Sequence, residues 1–236
     1  MATKERALER NKNFFLAAAT HELRTPMTCI LGFAELLEKR DYDSAQVRSL
    51  STTIRAKAQE MNRLLDDLLD VSALDESSSM AVRLKPSDIS QAVETAVHRM
   101  ERPSINHRIA LRVEPALPAV MLDSDRFVQA IVNVLSNACK YSPDGSEVRV
   151  DVFRASRGGA HRVGVRIADC GVGMTPVEVK NMFSRFWRSE RAAGIKGTGL
   201  GMVITKLILD RHGATIEVDS RPGEGTIVTV WLKETR

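Results

Sequence analysis

The chain has 236 residues, 43% of them apolar and 27% charged, which suits one large or two modest domains with a proper buried core. Its net charge of +4 is mild and lies beyond residue 75; it favours an anionic ligand such as a nucleotide and does not read as a nucleic-acid-binding surface. Cys29, Cys139 and Cys170 form no CxxC pair, which excludes a disulfide scaffold and a Cys-rich zinc site and fits a reducing compartment. No apolar run approaches the length of a membrane span, and the charged N-terminus lacks the apolar core of a signal peptide.

The first 75 residues predict two helices. A seven-residue apolar repeat runs through Leu16, Leu23, Ile30 and Leu37, with Ala19, Pro26 and Phe33 at the second seam position. A second repeat runs through Val47, Ile54, Met61 and Leu68, with Leu50, Leu64 and Val71 as partners and Lys57 as the exception. Between them lies a polar turn, Arg40 to Ser44, whose Asp43 or Ser44 is placed to cap the second helix. A short turn makes antiparallel neighbours, and one hairpin covers both seams poorly. Two hairpins cover them as a four-helix bundle, so residues 1–75 predict a homodimer. A monomeric hairpin packed on the rest of the chain is the alternative.

Residues 75–79 read as a polar linker, and 80–236 as a second domain. It contains a helix over 88–101 opened by Asp88, a strand over 108–113, and a helix over 124–141 capped by Asp123 or Ser124. Strands follow over 147–153 and 162–169. A short helix from Pro176 is expected to carry Phe183 and Phe186. A helix over 198–212 and a hairpin of 214–220 with 226–232 complete it. Strands in adjacent pairs predict an α+β sandwich and not a doubly wound parallel sheet.

Two constellations carry chemistry. With Leu16 on the seam, His21 points away from the bundle core, Glu22 sits beside it, and Thr25 lies one turn along. Pro26 has no N–H, so the Glu22 carbonyl loses its helical partner and the helix loosens there. A neutral imidazole so placed can attack phosphorus, with Glu22 taking or orienting its proton; a solvated surface histidine is the alternative. Zinc fits less well, because HELRT lacks the second His of HExxH.

The second constellation lies beyond residue 123. Asn133 and Asn137 form an i, i+4 pair continued by Lys140, on a face apart from Phe127, Ile131, Val134, Leu135 and Ala138. Asparagine is unfavourable inside a helix, so the pair suggests work such as holding phosphate oxygens or Mg²⁺; a solvated polar stripe is the other reading. Asp169 ends a strand and leads into Cys170, Gly171, Val172 and Gly173. Its carboxylate can accept from an exocyclic amine while glycines admit close backbone approach; a plain turn has the same letters. The run Gly197, Thr198, Gly199, Leu200, Gly201 opens a helix, where free N–H groups and the dipole suit phosphate. It is neither a Walker loop nor a dinucleotide fingerprint. Arg185, Arg188 and Lys196 lie in a segment that reads as a nucleotide lid or as an exposed basic loop. Cys139 and Cys170 flank this site and read as core filler.

Together these pieces resemble the sensor histidine kinases of two-component signalling, over nearly the whole chain. FLAAATHELRTPMTCILGFAELL resembles the phosphoacceptor box, NVLSNACKYS the N box, DCGVGM and GTGLGM the two glycine boxes, and FSRFW the F box. Ala17 to Thr20 and Met27 depart slightly from the usual pattern. The resemblance implies a dimeric helical bundle followed by a GHKL-type α/β sandwich with a mixed sheet. It implies ATP and Mg²⁺ as cofactors, His21 as phosphoacceptor, Glu22 as base, and Thr25 as a water-positioning group in dephosphorylating a response regulator receiver domain. It implies Mg²⁺ on Asn137 supported by Asn133, phosphate on Lys140, and the base against Tyr141. Asp169 would bind the adenine amine, Gly171 and Gly173 would line its pocket, and Gly197, Gly199 and Gly201 would form the phosphate wall. It implies a cytoplasmic segment with no membrane contact of its own, and leaves a membrane-anchored parent open. A non-catalytic dimeric scaffold and a GHKL chaperone or topoisomerase part are the competing readings.

Overall fold

Heptad periodicity gives way to strand alternation along the chain, and the computed structural model follows that change. It describes residues 2–72, 82–100, 107–157, 159–184, 187, 189 and 199–235, with the backbone alone for 2–18, 21, 67, 70–72 and 157. The chain divides into two compact units, a helical hairpin and an α/β domain.

The hairpin consists of α1 (Ala2–Lys39) and α2 (Ser44–Ser72), which pack on each other. Asp43, not Ser44, caps α2: its Oδ1 accepts the Ala45 and Gln46 N–H groups at 2.8 Å each, and Gln46 Oε1 accepts the Asp43 N–H at 3.1 Å. Leu23, Ile30, Leu37, Ile54, Met61 and Leu68 are half-buried, whereas Val47, near the turn, is exposed. Lys57 occupies a seam position because its ammonium reaches Glu60 at 2.7 Å. Leu69 is 68% exposed, Leu31 56%, Met27 42% and Leu65 41%, far more apolar surface than two helices cover.

The second unit runs β1 (Lys85–Ser87), α3 (Ile89–Met100), β2 (Arg108–Val113), β3 (Val120–Leu122), α4 (Ser124–Tyr141), β4 (Glu147–Arg157), β5 (Ala160–Ala168), α5 (Pro176–Asn181), α6 (Gly201–Arg211), β6 (Thr215–Arg221) and β7 (Gly225–Lys233). Five strands form a mixed sheet in the order β2-β4-β5-β7-β6; β2 pairs with β4 in parallel, and the other pairs are antiparallel. One face carries Val148, Val150, Val152, Val163, Val165, Ile167, Val228, Val230 and Leu232, all buried. Ile89 and Val93 of α3, Phe127, Ile131 and Leu135 of α4, and Ile204 and Ile208 of α6 complete the core of a two-layer sandwich. The pleat sends alternate residues such as Arg149, Arg166 and Lys233 to the uncovered face.

Four details differ from the sequence expectations. The short strands β1 and β3 pair antiparallel in a separate two-stranded sheet. Three residues each are too few to show alternation, so periodicity does not reveal them. β4 extends to Arg157, beyond the expected end at 153. α5 stops at Asn181, short of Phe183. α6 begins at Gly201 rather than 198, and Gly199 before it has φ +72°, a left-handed backbone that a right-handed helix cannot contain. The 75–79 linker and Phe186 lie outside the described residues.

Candidate active site

His21, Glu22 and Thr25 stand on consecutive turns of α1, which continues as one helix through Pro26. Glu22 is half-buried, Thr25 exposed and Pro26 buried. The His21 side chain is outside the described residues. What the backbone establishes is that a carboxylate and a hydroxyl accompany the histidine along one helix, with a break in donor supply at the proline.

In the second unit, α4 carries Asn133, Asn137, Lys140 and Tyr141. Asp123 caps it, accepting the Arg126 N–H at 3.3 Å. The two asparagines have different environments. Asn133 Nδ2 donates to the Gly201 carbonyl at 3.1 Å, and Thr205 Oγ1 donates to the same oxygen at 2.8 Å. Asn133 therefore fastens the start of α6 to α4 and keeps its own Oδ1 for another donor or a cation. Asn137 is half-buried and makes no side-chain hydrogen bond among the described residues. The Lys140 ammonium lies 5.0 Å from the centre of the Tyr141 ring.

Just past β5, Asp169 is gripped by backbone. Its Oδ1 accepts the Gly171 N–H at 2.8 Å and the Thr226 N–H at 3.1 Å; its Oδ2 accepts none among the described residues. Burial pushes the Asp169 carboxyl above the ordinary carboxylate range, and those two N–H groups only partly offset it. An incoming N–H donor at Oδ2 would relieve that cost.

The chain turns tightly around this carboxylate. Val172 N–H donates to the Tyr141 carbonyl at 3.1 Å, joining the turn to the end of α4. Gly173 has φ +60°, and a Cβ there would stand 1.8 Å from the Arg221 carbonyl oxygen. Gly225 has φ +88°, and its Cβ would stand 2.1 Å from the Asp169 carbonyl oxygen. Both positions exclude every side chain.

The structure thus brings together Asn133 with Gly201, and Asp169 with Gly171, Gly173 and Tyr141. Gly199 and Leu200 directly precede α6. Arg185, Arg188, Gly197 and Thr198 lie outside the described residues. Sequence reasoning missed Gly225, Thr226 and Ser220. Ser220 Oγ accepts the Met174 N–H at 2.9 Å and donates to the Gly225 carbonyl at 2.9 Å. The signal available was the Gly-Thr pair after the Pro222-Gly223 turn, read there only as a hairpin tip. Cys139 is buried as expected, but Cys170 is exposed and fills no core, because the strand has ended before it.

Residues 11–77 match the His Kinase A (phospho-acceptor) domain, and residues 122–236 match the histidine kinase-, DNA gyrase B- and HSP90-like ATPase family. The chain belongs to the histidine kinase family. Its C-terminal part is accordingly a domain of the ATP-binding type. The phosphate regulon sensor protein PhoR of Pseudomonas aeruginosa is 34% identical over 96% of this chain and 51% of its own length. The sensor protein kinase WalK of Staphylococcus epidermidis is 30% identical over 98% of this chain and 38% of its own. This histidine kinase chain thus spans about half or less of the curated relatives it matches. The solved structure of full-length ShkA in complex with AMPPNP superposes with a TM-score of 0.66 at 24% identity, covering 93% of this chain and 46% of that one, and shares the fold.

Proposed function

We propose that the chain is the catalytic core of an ATP-dependent protein-histidine kinase that phosphorylates His21 and passes the phosphoryl group to an aspartate of a response regulator. Phosphatase activity toward the same regulator, with Thr25 positioning the water, belongs to the same proposal. The observation that carries it is the half-buried Asp169, held by Gly171 and Thr226 on one oxygen and offering the other beside a glycine-lined turn, in a chain that begins with the HELRTP helix.

In this reading Asp169 takes the adenine amine, Gly171 and Gly173 line the base pocket, and Tyr141 lies against the base. Asn133, Lys140, Arg185, Arg188, Gly197, Thr198, Gly199, Leu200 and Gly201 surround the phosphates. Mg²⁺ prefers oxygen ligands and keeps phosphates and waters among them. The uncommitted Asn137 carboxamide fits that preference, and among the described residues no His, Cys, Asp and Glu cluster offers a competing site. The ion, when bound, supplies charge stabilisation to the transferring phosphoryl group.

An imidazole nitrogen of His21 forms the N–P bond as the bond from the γ-phosphorus to the bridging oxygen breaks. ADP leaves, and Glu22 accepts the imidazole proton. Catalysis is then mainly positioning. The exposed Met27, Leu31, Leu65 and Leu69 support a homodimer through residues 1–75, because a second hairpin would cover them.

The test is incubation with ATP labelled at the γ-phosphate and Mg²⁺, beside His21→Gln. Acid-labile, base-stable label on the wild type and none on the variant is expected. Label retained by the variant would move the acceptor elsewhere.

A further inference from the structure

The helix that carries the candidate nucleotide asparagines is tied at its N-cap to the chain arriving from the hairpin. Asp123 divides its two carboxylate oxygens between two tasks. Oδ1 accepts the Arg126 N–H at 3.3 Å and caps α4, whereas Oδ2 accepts the Arg83 N–H at 2.9 Å, 40 residues away in sequence. Arg83 stands two residues before β1, and β1 pairs with β3 so that Lys85 faces Leu122, the residue preceding Asp123. The entering chain and the start of α4 are therefore joined by a short ladder and by one carboxylate oxygen.

The other side of Asp123 is braced by α6. Its N–H donates to His212 Nε2 at 3.0 Å, and His212 Nδ1 donates to the Ile208 carbonyl at 2.7 Å. Those partners require the neutral imidazole with its proton on Nδ1. The ring is 8% exposed and lies 6.0 Å from the Phe127 ring. α4 and α6 are thus joined through His212 and Asp123 and again through Asn133 and Gly201, with the candidate nucleotide residues beyond. The Arg83 tie therefore meets α4 at its N-cap, on the same helix that carries Asn137 and Lys140.

We propose that Asp123 is a positioning residue for phosphoryl transfer: its Oδ2 couples the chain arriving from the hairpin to α4, and His212 braces it. This rests on the kinase reading above. Partial burial opposes ionisation of Asp123, but the Arg83 and Arg126 N–H groups together with the neighbouring His212 and Arg126 side chains hold the carboxyl below its ordinary value. The carboxylate is accordingly the form that carries the tie.

The chemistry of the side chain supplies the test. A carboxamide has one acceptor oxygen, so Asp123→Asn keeps the helix cap, for which Asn is as good as Asp, by turning its Nδ2 toward Arg83 and thereby releases that N–H. Arg83→Pro removes the donor from the other side and leaves Asp123 untouched. Both variants and their combination are prepared in the full chain. Amide exchange at Arg83, nucleotide binding by a fluorescent ATP analogue, and the ATP dependence of His21 labelling are measured.

Protection of the Arg83 amide in the wild type is expected, and exchange about tenfold faster in Asp123→Asn. The maximal labelling rate should fall about tenfold with the KM for ATP within about twofold, in either single variant and no further in the double. An unprotected Arg83 amide in the wild type overturns the proposal. So does an unchanged labelling rate, or a KM that rises in step with a falling thermal midpoint, which would make Asp123 a cap and nothing more. No label on the wild type in the presence of bound ATP would overturn the kinase reading itself, whereas labelled wild type with equally labelled variants overturns the coupling alone.

Discussion

The hairpin and the α/β domain bury apolar surface in opposite ways. In the domain, Phe127, Ile131, Leu135, Ile167, Ile204 and Leu232 are buried almost completely, and the core closes within one chain. In the hairpin, seam residues such as Leu23, Ile30 and Leu64 are half-buried while Leu31 and Leu69 face outward. A sheet covered by helices can finish its own core, whereas two antiparallel helices share only one seam and leave the other open. The domain is therefore expected to be stable by itself, and the hairpin to depend on a second copy and so on concentration.

The largest test of that contrast is Phe127→Ala. It removes a fully buried ring of α4 that lies beside His212 and is expected to lower domain stability by about 3–5 kcal/mol, read by denaturant unfolding. An unchanged midpoint would mean that the domain core is not where its stability resides. The next is Leu69→Lys combined with Leu31→Lys. In a lone hairpin these exposed positions tolerate the change within about 0.5 kcal/mol; covered by a partner, each costs about 2 kcal/mol and the dimer dissociates. Sedimentation velocity distinguishes the two.

Asp169 sharpens the comparison from the ligand side. Its carboxyl is raised by burial, so protonation on acidification begins above the ordinary carboxylate range. A protonated acid no longer offers a free anion to an amine, so nucleotide affinity should fall as pH drops through that raised value. Asp169→Asn should weaken binding about tenfold and flatten this pH dependence, measured by titration calorimetry. Equal affinity for the two proteins across pH would remove Asp169 from the base pocket. The smallest effect is Asp43→Ala, which removes the α2 cap and should cost the hairpin about 1 kcal/mol, with no change in nucleotide binding. Circular dichroism melts of the full chain, with and without nucleotide, read both.

Much of the site was legible before the fold. α4 was readable because a cap at Asp123 or Ser124 and an apolar face agree on one helix over 124–141. The Asp169 turn was readable because Gly171 and Gly173 mark a backbone that must come close to other chain. Thr226 was not readable, since its contribution is a backbone N–H and every residue but proline has one. Asn133 and Asn137 are equivalent by spacing and were told apart only by the family resemblance; the physical difference, Gly201 arriving beside Asn133 and leaving Asn137 open, came from the fold.

The amino-acid sequence by itself determined the sequence of helices and principal strands, because periodicity, caps and glycines act over a few residues. It also determined the two motif sets that assign the chain to its family. Only the tertiary structure decided the parallel pairing of β2 with β4, the small β1–β3 sheet, and the joining of Arg83, Asp123 and His212. Those depend on partners 33 to 89 residues apart. A lone carboxylate or imidazole in a sequence carries no sign of which distant N–H it will meet, and that meeting is set by how the helices pack on the sheet.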